Sequence, residues 1–203
     1  KTTLFNLLNG FQTPTSGQVF VNGKDMARSK PHVLCRAGVG RTFQIMRPFT
    51  RMSVRDNVRT GAYVRAGSEA EAAEVADDAL RQVGLSAIAE QLAGELTTKE
   101  LRLMELARAL AGKPHTLLLD ETLAGLGRDE AAEVVAVIRQ LSASGVTVAI
   151  IEHTMQAMVQ LVDRFLVLDH GQVIMEGAPE EVTKNPHVIE AYLGKKWSAH
   201  AED

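Results

Sequence analysis

Amphipathic stretches and short apolar runs alternate along this chain, and their periods predict helices and strands. One long segment carries apolar residues at i, i+3, i+4 and i+7, the spacing that puts a single apolar stripe on a helix. Its stripe consists of Leu103, Leu106, Ala107 and Leu110. We expect this helix to end before Pro114, because proline removes a helical hydrogen bond and restricts the residue before it.

Two continuous apolar runs, 116–119 and 146–151, lack the alternation of a half-exposed strand. Such runs are typical of strands that are buried on both faces of a parallel sheet. The segment between them has helical spacing, and its expected buried face consists of Val134, Val137, Ile138 and Leu141. Strand, helix and strand in this order predict a βαβ unit and an α/β fold.

The remaining elements are shorter and are marked by caps and turns. Ser53 is expected to cap a helix that runs to about residue 66, and Gly84 to close an Ala- and Glu-rich helix over 68–83. The other predicted elements are a helix over 1–8, strands over 18–21 and 40–43, a hairpin of 165–168 with 172–175, and small helices that end near 193.

The composition is that of an ordinary globular protein. Of the 203 residues, 45% are hydrophobic and 23% are charged, which excludes a disordered or fibrous chain. The net charge of -3 supplies no basic surface for nucleic acid. The single cysteine, Cys35, cannot form an internal disulfide and is expected to be a small core residue. Every apolar run is far shorter than the roughly 20 residues that span a bilayer, so membrane association is expected to run through a partner.

Polar residues directly follow both buried strands. Asp120 and Glu121 follow the first, and Glu152 and His153 follow the second. Ligands of open α/β sheets bind beyond the carboxyl ends of the strands, so Asp120, Glu121 and His153 are candidate site residues. Asp120 suits Mg²⁺, which prefers carboxylate and water oxygens, and Glu121 is placed to orient or deprotonate an attacking water. An Asp-Glu pair alone is equally compatible with a plain polar loop.

The chain begins Lys1-Thr2-Thr3, which matches the end of the phosphate-binding pattern G-x-x-x-x-G-K-[ST]. In that pattern the lysine reaches the β and γ phosphates and the hydroxyl binds Mg²⁺, and the glycines would precede Lys1. Three residues are a weak match, and Gln44 after its strand is equally weak by itself. The order of these parts carries more information than any one of them.

The order is Lys-Thr-Thr, Gln44, a helix that begins near Thr97, a strand that ends in Asp120-Glu121, and His153. It resembles the order of parts in ATP-binding cassette (ABC) ATPases along nearly the whole chain. The subfamily that powers branched-chain amino acid uptake is especially similar, although relatives that move urea, amides or lipopolysaccharide look alike. The segments that carry this likeness are 4–10, 40–44, 105–110, 151–153, 174–177 and 185–194.

The resemblance implies ATP and Mg²⁺ as cofactors and a role for each matching residue. Lys1 and Thr3 would contact phosphates. The Mg²⁺ contacts would come from Thr2, Gln44 and Asp120. Phosphoryl transfer of this kind depends on positioning and electrostatic stabilisation.

The catalytic roles implied by the resemblance fall on Glu121 and His153. Glu121 would act on the attacking water, while His153 would hold the γ-phosphate and position that water. Gln44 would also begin the loop that couples nucleotide state to a membrane subunit, and residues from about 47 to 92 would form the docking face.

The resemblance further implies a P-loop NTPase fold, with a mixed-sheet core and a helical subdomain, that lacks its first strands. One nucleotide-binding domain would span 1–203, with its core at 1–46 and 112–178, the helical subdomain at 47–111, and C-terminal helices and a tail at 179–203. The implied partners are a second and usually different ATPase subunit, two permease subunits and a solute-binding protein. The chain would lie at the cytoplasmic face of the membrane, held there by the permeases.

The chain departs from the family pattern in its signature, normally Leu-Ser-Gly-Gly-Gln, which reads Leu-Thr-Thr-Lys-Glu at 96–100. In the family this helix start faces the nucleotide of the other subunit, and Thr97 keeps the hydroxyl. Lys99 and Glu100 replace glycine and glutamine, and the lysine would either compensate by its charge or obstruct the contact. There are two further departures. Thr122 stands where the family usually has Pro, and Gly127 stands where it usually has Asp or Asn.

Two functional hypotheses remain open. In the first, the chain is an ATPase subunit that drives uptake of a small polar solute; in the second, it is a non-hydrolysing regulatory or scaffolding partner. The presence of both Glu121 and His153 favours the first. ABC proteins that act on DNA or ribosomes carry a long coiled-coil insertion or a second cassette, and neither is found here. Without the glycine loop and an adenine-stacking aromatic residue, we expect the chain as given to bind ATP poorly or not at all.

Overall fold

The computed structural model describes residues 1–152 and 155–193. It divides into two compact units, Thr2–His153 and Thr154–Asp203, with Lys1 grouped in the second. Within the described ranges, no helix combines the length and the apolar character needed to cross a membrane. The sheet that positions the candidate site belongs to the first unit.

This sheet has three parallel strands in the order β3-β4-β5. They are β3 (Val39–Arg41), β4 (Thr116–Asp120) and β5 (Thr147–Ile151). The central strand β4 is buried from its second residue onward, which confirms the predicted buried strand. The same prediction for β5 is wrong, since its first residue is exposed and the next three are half-buried. β5 pairs with β4 alone, so one of its edges has no neighbour in the described sheet.

The helix α6 (Arg128–Ala143) connects β4 to β5 and completes the predicted βαβ unit. Its buried residues are Val134, Val135, Ile138 and Leu141. Val137 is only half-buried, so its predicted place on the buried face is wrong. The buried stripe of α6 is therefore rotated toward Val135. The spacing of apolar residues predicts the helix, but tertiary packing decides which of them are buried.

Shorter elements precede β3. They are α1 (Thr2–Leu8), the antiparallel pair β1 (Phe20–Val21) and β2 (Lys24–Asp25), and α2 (Pro31–Arg36). The strand predicted over 18–21 is therefore limited to two residues, because its partner beyond the turn is equally short. The strand predicted over 40–43 lies at Val39–Arg41, and the amide of Thr42 adds a hydrogen bond to Leu118 O at 3.0 Å. These elements share one hydrophobic core with the parallel sheet. Its buried residues are Phe5, Met26, Leu34, Val39, Leu118 and Ile151.

The helical segment of this unit consists of α3 (Val54–Ala62), α4 (Glu69–Gln82) and α5 (Thr98–Leu110), with 3-10 turns at Ser86–Ile88 and Ala93–Glu95. Ser53 caps α3 as predicted, but the helix ends at Ala62 rather than near residue 66. The predicted apolar stripe of α5 is fully buried. Three alanines on the inner face of α4 let the helices approach closely: Ala72, Ala76 and Ala79.

The second unit is built on the antiparallel hairpin of β6 (Phe165–Asp169) and β7 (Gln172–Gly177), which confirms the predicted hairpin. His170 and Gly171 at its tip both have positive φ, 44° and 84°, as a two-residue hairpin turn requires. Among the residues described in this unit, short helices lie before and after the hairpin: α7 (Met155–Leu161), α8 (Pro179–Val182) and α9 (Pro186–Leu193). The core of this unit is formed by Phe165, Val182 and Val188.

Candidate functional site

The carboxyl end of the parallel sheet gathers polar side chains, as the sequence predicts. Asp120, the last residue of β4, is only 1% exposed. Its backbone amide donates to Thr42 Oγ1 at 3.3 Å, across from the end of β3. A charge buried this deeply needs compensation, and Arg41 supplies it through a contact of 2.8 Å between Nη2 and Asp120 Oδ2.

Arg41 connects this carboxylate to the first helix. Its Nη1 donates to Asn6 Oδ1 on α1 at 2.7 Å. When the Asn9 amide is turned so that its nitrogen faces the carbonyls of Phe5 and Asn6, its oxygen also accepts from Nη1 at 3.0 Å. The guanidinium therefore links the end of β4 to two residues of the α1 segment.

The second oxygen of Asp120 fits a cation. Within the described part of the chain, Asp120 Oδ1 is buried and has no hydrogen-bond partner. A buried, orphaned carboxylate oxygen is an atom that a metal ion, or a water bound to one, would satisfy. No group of three or more His, Cys, Asp or Glu side chains among the described residues is placed to hold a metal alone. Mg²⁺ is usually held by one or two carboxylates together with waters and substrate phosphates.

Glu121 and Gln44 meet beside Asp120. Gln44 Nε2 donates to Glu121 Oε2 at 2.7 Å, which joins two predicted site residues that are 77 positions apart. Glu121 has a left-handed backbone with φ of 51°, a conformation that costs a non-glycine residue free energy and is found disproportionately at functional sites. Its amide is held by Ile151 O at 2.9 Å, so β5 stabilises this turn.

Arg102 holds the backbone of the Gln44 segment. This α5 side chain is buried, and its Nη1 donates to Gln44 O at 3.1 Å. Its Nη2 donates to Ala124 O at 3.3 Å, in the loop that follows Glu121. One guanidinium thus joins the helical segment to both loops that carry the candidate site.

Two further buried polar contacts surround the loop after β4. Glu152 Oε1 accepts from the amide of Leu123 at 2.8 Å, and the hydroxyls of Thr42 and Thr122 lie 3.3 Å apart. The Thr122 hydroxyl thus has a buried partner at the position where the family usually has proline. Neither Glu152 nor Arg41 has a predicted role, although both lie in segments that resemble the family. A charged residue inside or just after an otherwise apolar strand is the signal that points to both.

The structure places the other predicted residues as follows. Thr2 and Thr3 are exposed at the start of α1, and Lys1, also exposed, immediately precedes that helix. His153 lies outside the described residues. Asp120, Glu121 and Gln44 are the predicted site residues that the structure brings together.

The segment at 96–100 forms a closed cap on α5. Both the amide and the hydroxyl of Thr97 donate to Glu100 Oε2 at 2.8 Å, and the Glu100 amide donates to Thr97 Oγ1 at 3.3 Å. Hydrogen bonds from the Thr97 backbone and hydroxyl lower the pKa of the Glu100 carboxyl. Lys99 Nζ lies 2.7 Å from Glu133 Oε2 on α6, and this contact raises the pKa of the Lys99 ammonium. The lysine charge is thus directed at α6.

Comparison with known families identifies two matching descriptions. The family described as ABC transporter matches residues 1–124. The family described as branched-chain amino acid ATP-binding cassette transporter matches residues 172–197. The first match covers more than half of the chain and includes Lys1, Gln44, Asp120 and Glu121.

Individual relatives and solved structures agree. The chain is 37% identical to the high-affinity branched-chain amino acid transport ATP-binding protein BraF of Pseudomonas aeruginosa, over 96% of this chain and 83% of that protein. It is 35% identical to the LivG protein of Salmonella typhimurium, which has the same description, with the same coverage. The solved ADP conformation of an ATP-binding cassette of an ABC transporter superposes with a TM-score of 0.86 at 30% identity, covering 96% of this chain and 84% of that one. The chain therefore belongs to the ABC transporter family, as an ATPase domain.

Proposed function

We propose that this chain hydrolyses Mg²⁺-bound ATP at the carboxyl end of its sheet, and that hydrolysis drives import of a branched-chain amino acid or a similar small polar solute. The observation that carries the proposal is the contact between Gln44 and Glu121 beside Asp120. It brings together two of the residues that we assign to phosphoryl transfer, at the edge where open α/β sheets bind ligands. The descriptions of the relatives support the choice of solute.

The proposed mechanism assigns distinct tasks to the site residues. Thr2, Gln44 and Asp120 would hold Mg²⁺, with Asp120 contributing its orphaned Oδ1. When bound, the ion would neutralise charge on the phosphates. Lys1 and Thr3 would contact phosphates.

Glu121 would orient the attacking water and accept its proton. Its left-handed backbone turns it out of the strand, and the Gln44 amide fixes one of its oxygens. His153 would hold the γ-phosphate. Catalysis then depends on carboxylate and amide groups that are positioned before the nucleotide reacts.

The proposed assembly contains a second ATPase subunit, two permease subunits and a solute-binding protein, at the cytoplasmic face of the membrane. Residues 1–46 and 112–178 would form the core, 47–111 the helical subdomain, and 179–203 the C-terminal helices and tail. The permeases would dock against residues from about 47 to 92. Thr97 would face the nucleotide of the other ATPase.

A regulatory role is the second candidate, and the closed cap at 96–100 favours it. The Thr97 hydroxyl is bonded to Glu100, and Lys99 is paired with Glu133. A nucleotide approaching in trans would have to displace these contacts. In that case the chain would bind ATP and scaffold a hydrolysing partner.

Solute uptake in cells distinguishes these roles. A strain that lacks this transporter is supplied with the complete protein, either wild type or Glu121→Gln, and radiolabelled leucine uptake is measured. We expect wild type to restore uptake and Glu121→Gln to abolish it. The matched control is Glu180→Gln, which changes an exposed carboxylate on α8 and should leave uptake intact. Uptake that persists in Glu121→Gln would favour the regulatory role.

A further inference from the structure

We propose that Arg41 is a positioning residue of the Mg²⁺ site, because it fixes the carboxylate of Asp120 relative to the helix that carries Thr2 and Thr3. This inference rests on the Mg²⁺–ATP site proposed above. Arg41 lies in segment 40–44, which resembles the family, but the resemblance implies no role for this residue. Its contacts alone assign the role.

The geometry of the guanidinium carries the argument. Arg41 Nη1 donates to Asn6 Oδ1 at 2.7 Å, and Nη2 contacts Asp120 Oδ2 at 2.8 Å. The two nitrogens belong to one rigid plane, so the two acceptors are held at a fixed separation. Asn6 lies one turn after Thr2 and Thr3 on α1, whereas Asp120 ends β4. Arg41 thereby sets the distance between the two groups of proposed Mg²⁺ ligands.

Packing prevents the guanidinium from turning away. Its Cζ lies 5.7 Å from the ring centre of Phe5 and 5.2 Å from that of Phe43. The side chains of Arg41 and Asp120 are 7% and 2% exposed, so water does not compete for the ion pair. Phe43 directly precedes Gln44, so the ring that covers the guanidinium belongs to the Gln44 segment as well.

The ion pair also selects which oxygen of Asp120 is available. Oδ2 is bonded to Arg41, and Oδ1 is buried with no partner among the described residues. A carboxylate without Arg41 would be free to rotate and to present either oxygen. Partners that orient a metal-binding carboxylate in this way typically contribute 10- to 100-fold, roughly, to metal affinity.

The experiment measures Mg²⁺ dependence rather than turnover. Equilibrium binding of a fluorescent ATP analogue to the complete protein is followed while free Mg²⁺ is titrated, and again in EDTA. For Arg41→Lys, which reaches only one of the two acceptors, we expect the half-saturating Mg²⁺ concentration to rise about 10-fold or more. Asn6→Ala keeps the ion pair but removes one of the two side chains that link Arg41 to the α1 segment, and we expect a smaller rise. Binding in EDTA should match wild type for both variants.

The matched control is Arg65→Lys. Arg65 also joins two acceptors, Gly112 O at 2.9 Å and Arg36 O at 3.1 Å, but it contacts none of the proposed ligands. Its Mg²⁺ dependence should equal that of wild type. Should Arg41→Lys fail to fold by circular dichroism, Asn6→Ala alone decides the question.

Two results would overturn the inference. If the Mg²⁺ midpoint of the folded variants is unchanged or lower, Arg41 does not position the ligands. If binding weakens equally with and without Mg²⁺, the ion pair only supports the fold. If wild type binds no nucleotide in Mg²⁺, the proposed function itself is refuted. If wild type binds but the variants show no rise in the Mg²⁺ midpoint, only the role of Arg41 is refuted.

Discussion

Asp120 and Glu121 are neighbours in the chain, yet their surroundings suit them to different tasks. Asp120 ends a buried strand and is neutralised by Arg41. Glu121 is half-buried, has a left-handed backbone and accepts from the Gln44 amide. A carboxylate fixed by an ion pair suits a structural ligand of a cation, whereas one at a turn beyond the strand is placed to reach a substrate.

Another buried carboxylate, Glu105 on α5, provides a test of how burial affects stability. Burial raises the pKa of the Glu105 carboxyl, although the nearby Arg108 limits the rise. An exposed Glu has a pKa of about 4.3, and the pKa of Glu105 in the folded protein lies above this value. The protonated carboxyl therefore stabilises the fold at low pH, and this stabilisation is lost as pH rises through the raised pKa. We therefore expect Glu105→Gln to be more stable than wild type at neutral pH.

This advantage should shrink as pH falls toward 4, which urea denaturation at several pH values would measure. Glu74→Gln serves as the control, since Glu74 is exposed on α4, and its stability should follow wild type at each pH. A Glu105→Gln variant that is less stable at neutral pH would show that the pairing with Arg108 outweighs the cost of burial.

At the scale of elements, the crossing of α3 and α5 depends on one glycine. A Cβ atom at Gly61 would overlap the backbone oxygen of Arg108, and backbone cannot move aside as a flexible side chain can. We expect Gly61→Ala to destabilise the protein by about 1–3 kcal/mol or more through overpacking. Thermal or urea unfolding measures this directly.

Gly67→Ala is the matched control. The nearest atom to a Cβ there is the flexible Glu71 carboxylate at 3.6 Å, so this change should alter stability by less than about 0.5 kcal/mol. Equal stability of the two alanine variants would contradict the close crossing of α3 and α5.

The spacing of apolar residues predicts where helices and strands lie better than it predicts how they pack against one another. The stripe of α5, the buried strand β4 and the serine cap of α3 are local features, and the sequence predicts all three. The half-exposure of β5 depends on which strands pair with it, and the rotation of the α6 stripe toward Val135 depends on tertiary packing. Neither is set by local spacing.

The same distinction applies to the candidate site. Asp120, Glu121 and Gln44 are predictable because they follow strands in a recognisable order. A charge in or after an apolar strand marks Arg41 and Glu152, but it does not identify their partners, which lie 79 and 29 positions away. Thr97 keeps its predicted place at a helix start, but its bond to Glu100 becomes visible only in the structure.

At the scale of the whole molecule, the range proposed to dock a permease carries exposed aromatic residues. Phe49 is 51% exposed and Tyr63 is 47% exposed within this range. Exposed apolar surface of this kind is typical of interfaces. We expect Phe49→Asp to reduce co-purification of the permease subunits while nucleotide binding is unchanged.

Phe20→Asp is the control for that experiment. Phe20 is 61% exposed on β1, outside the proposed docking range, so permease recovery should equal that of wild type. If both substitutions reduce recovery equally, or neither does, residues 47–92 are not the docking face.

Phosphate release by the purified complete protein, in complex with its partner subunits, shows whether Glu121 acts in ATP hydrolysis. The comparison is between wild type and Glu121→Gln, with ATP binding measured in parallel. We expect Glu121→Gln to bind ATP like wild type but to release phosphate at least about 100-fold more slowly, since the attacking water loses the carboxylate that accepts its proton. Undiminished phosphate release in Glu121→Gln would mean that Glu121 is not the catalytic carboxylate and that this chain is a nucleotide-binding regulatory subunit.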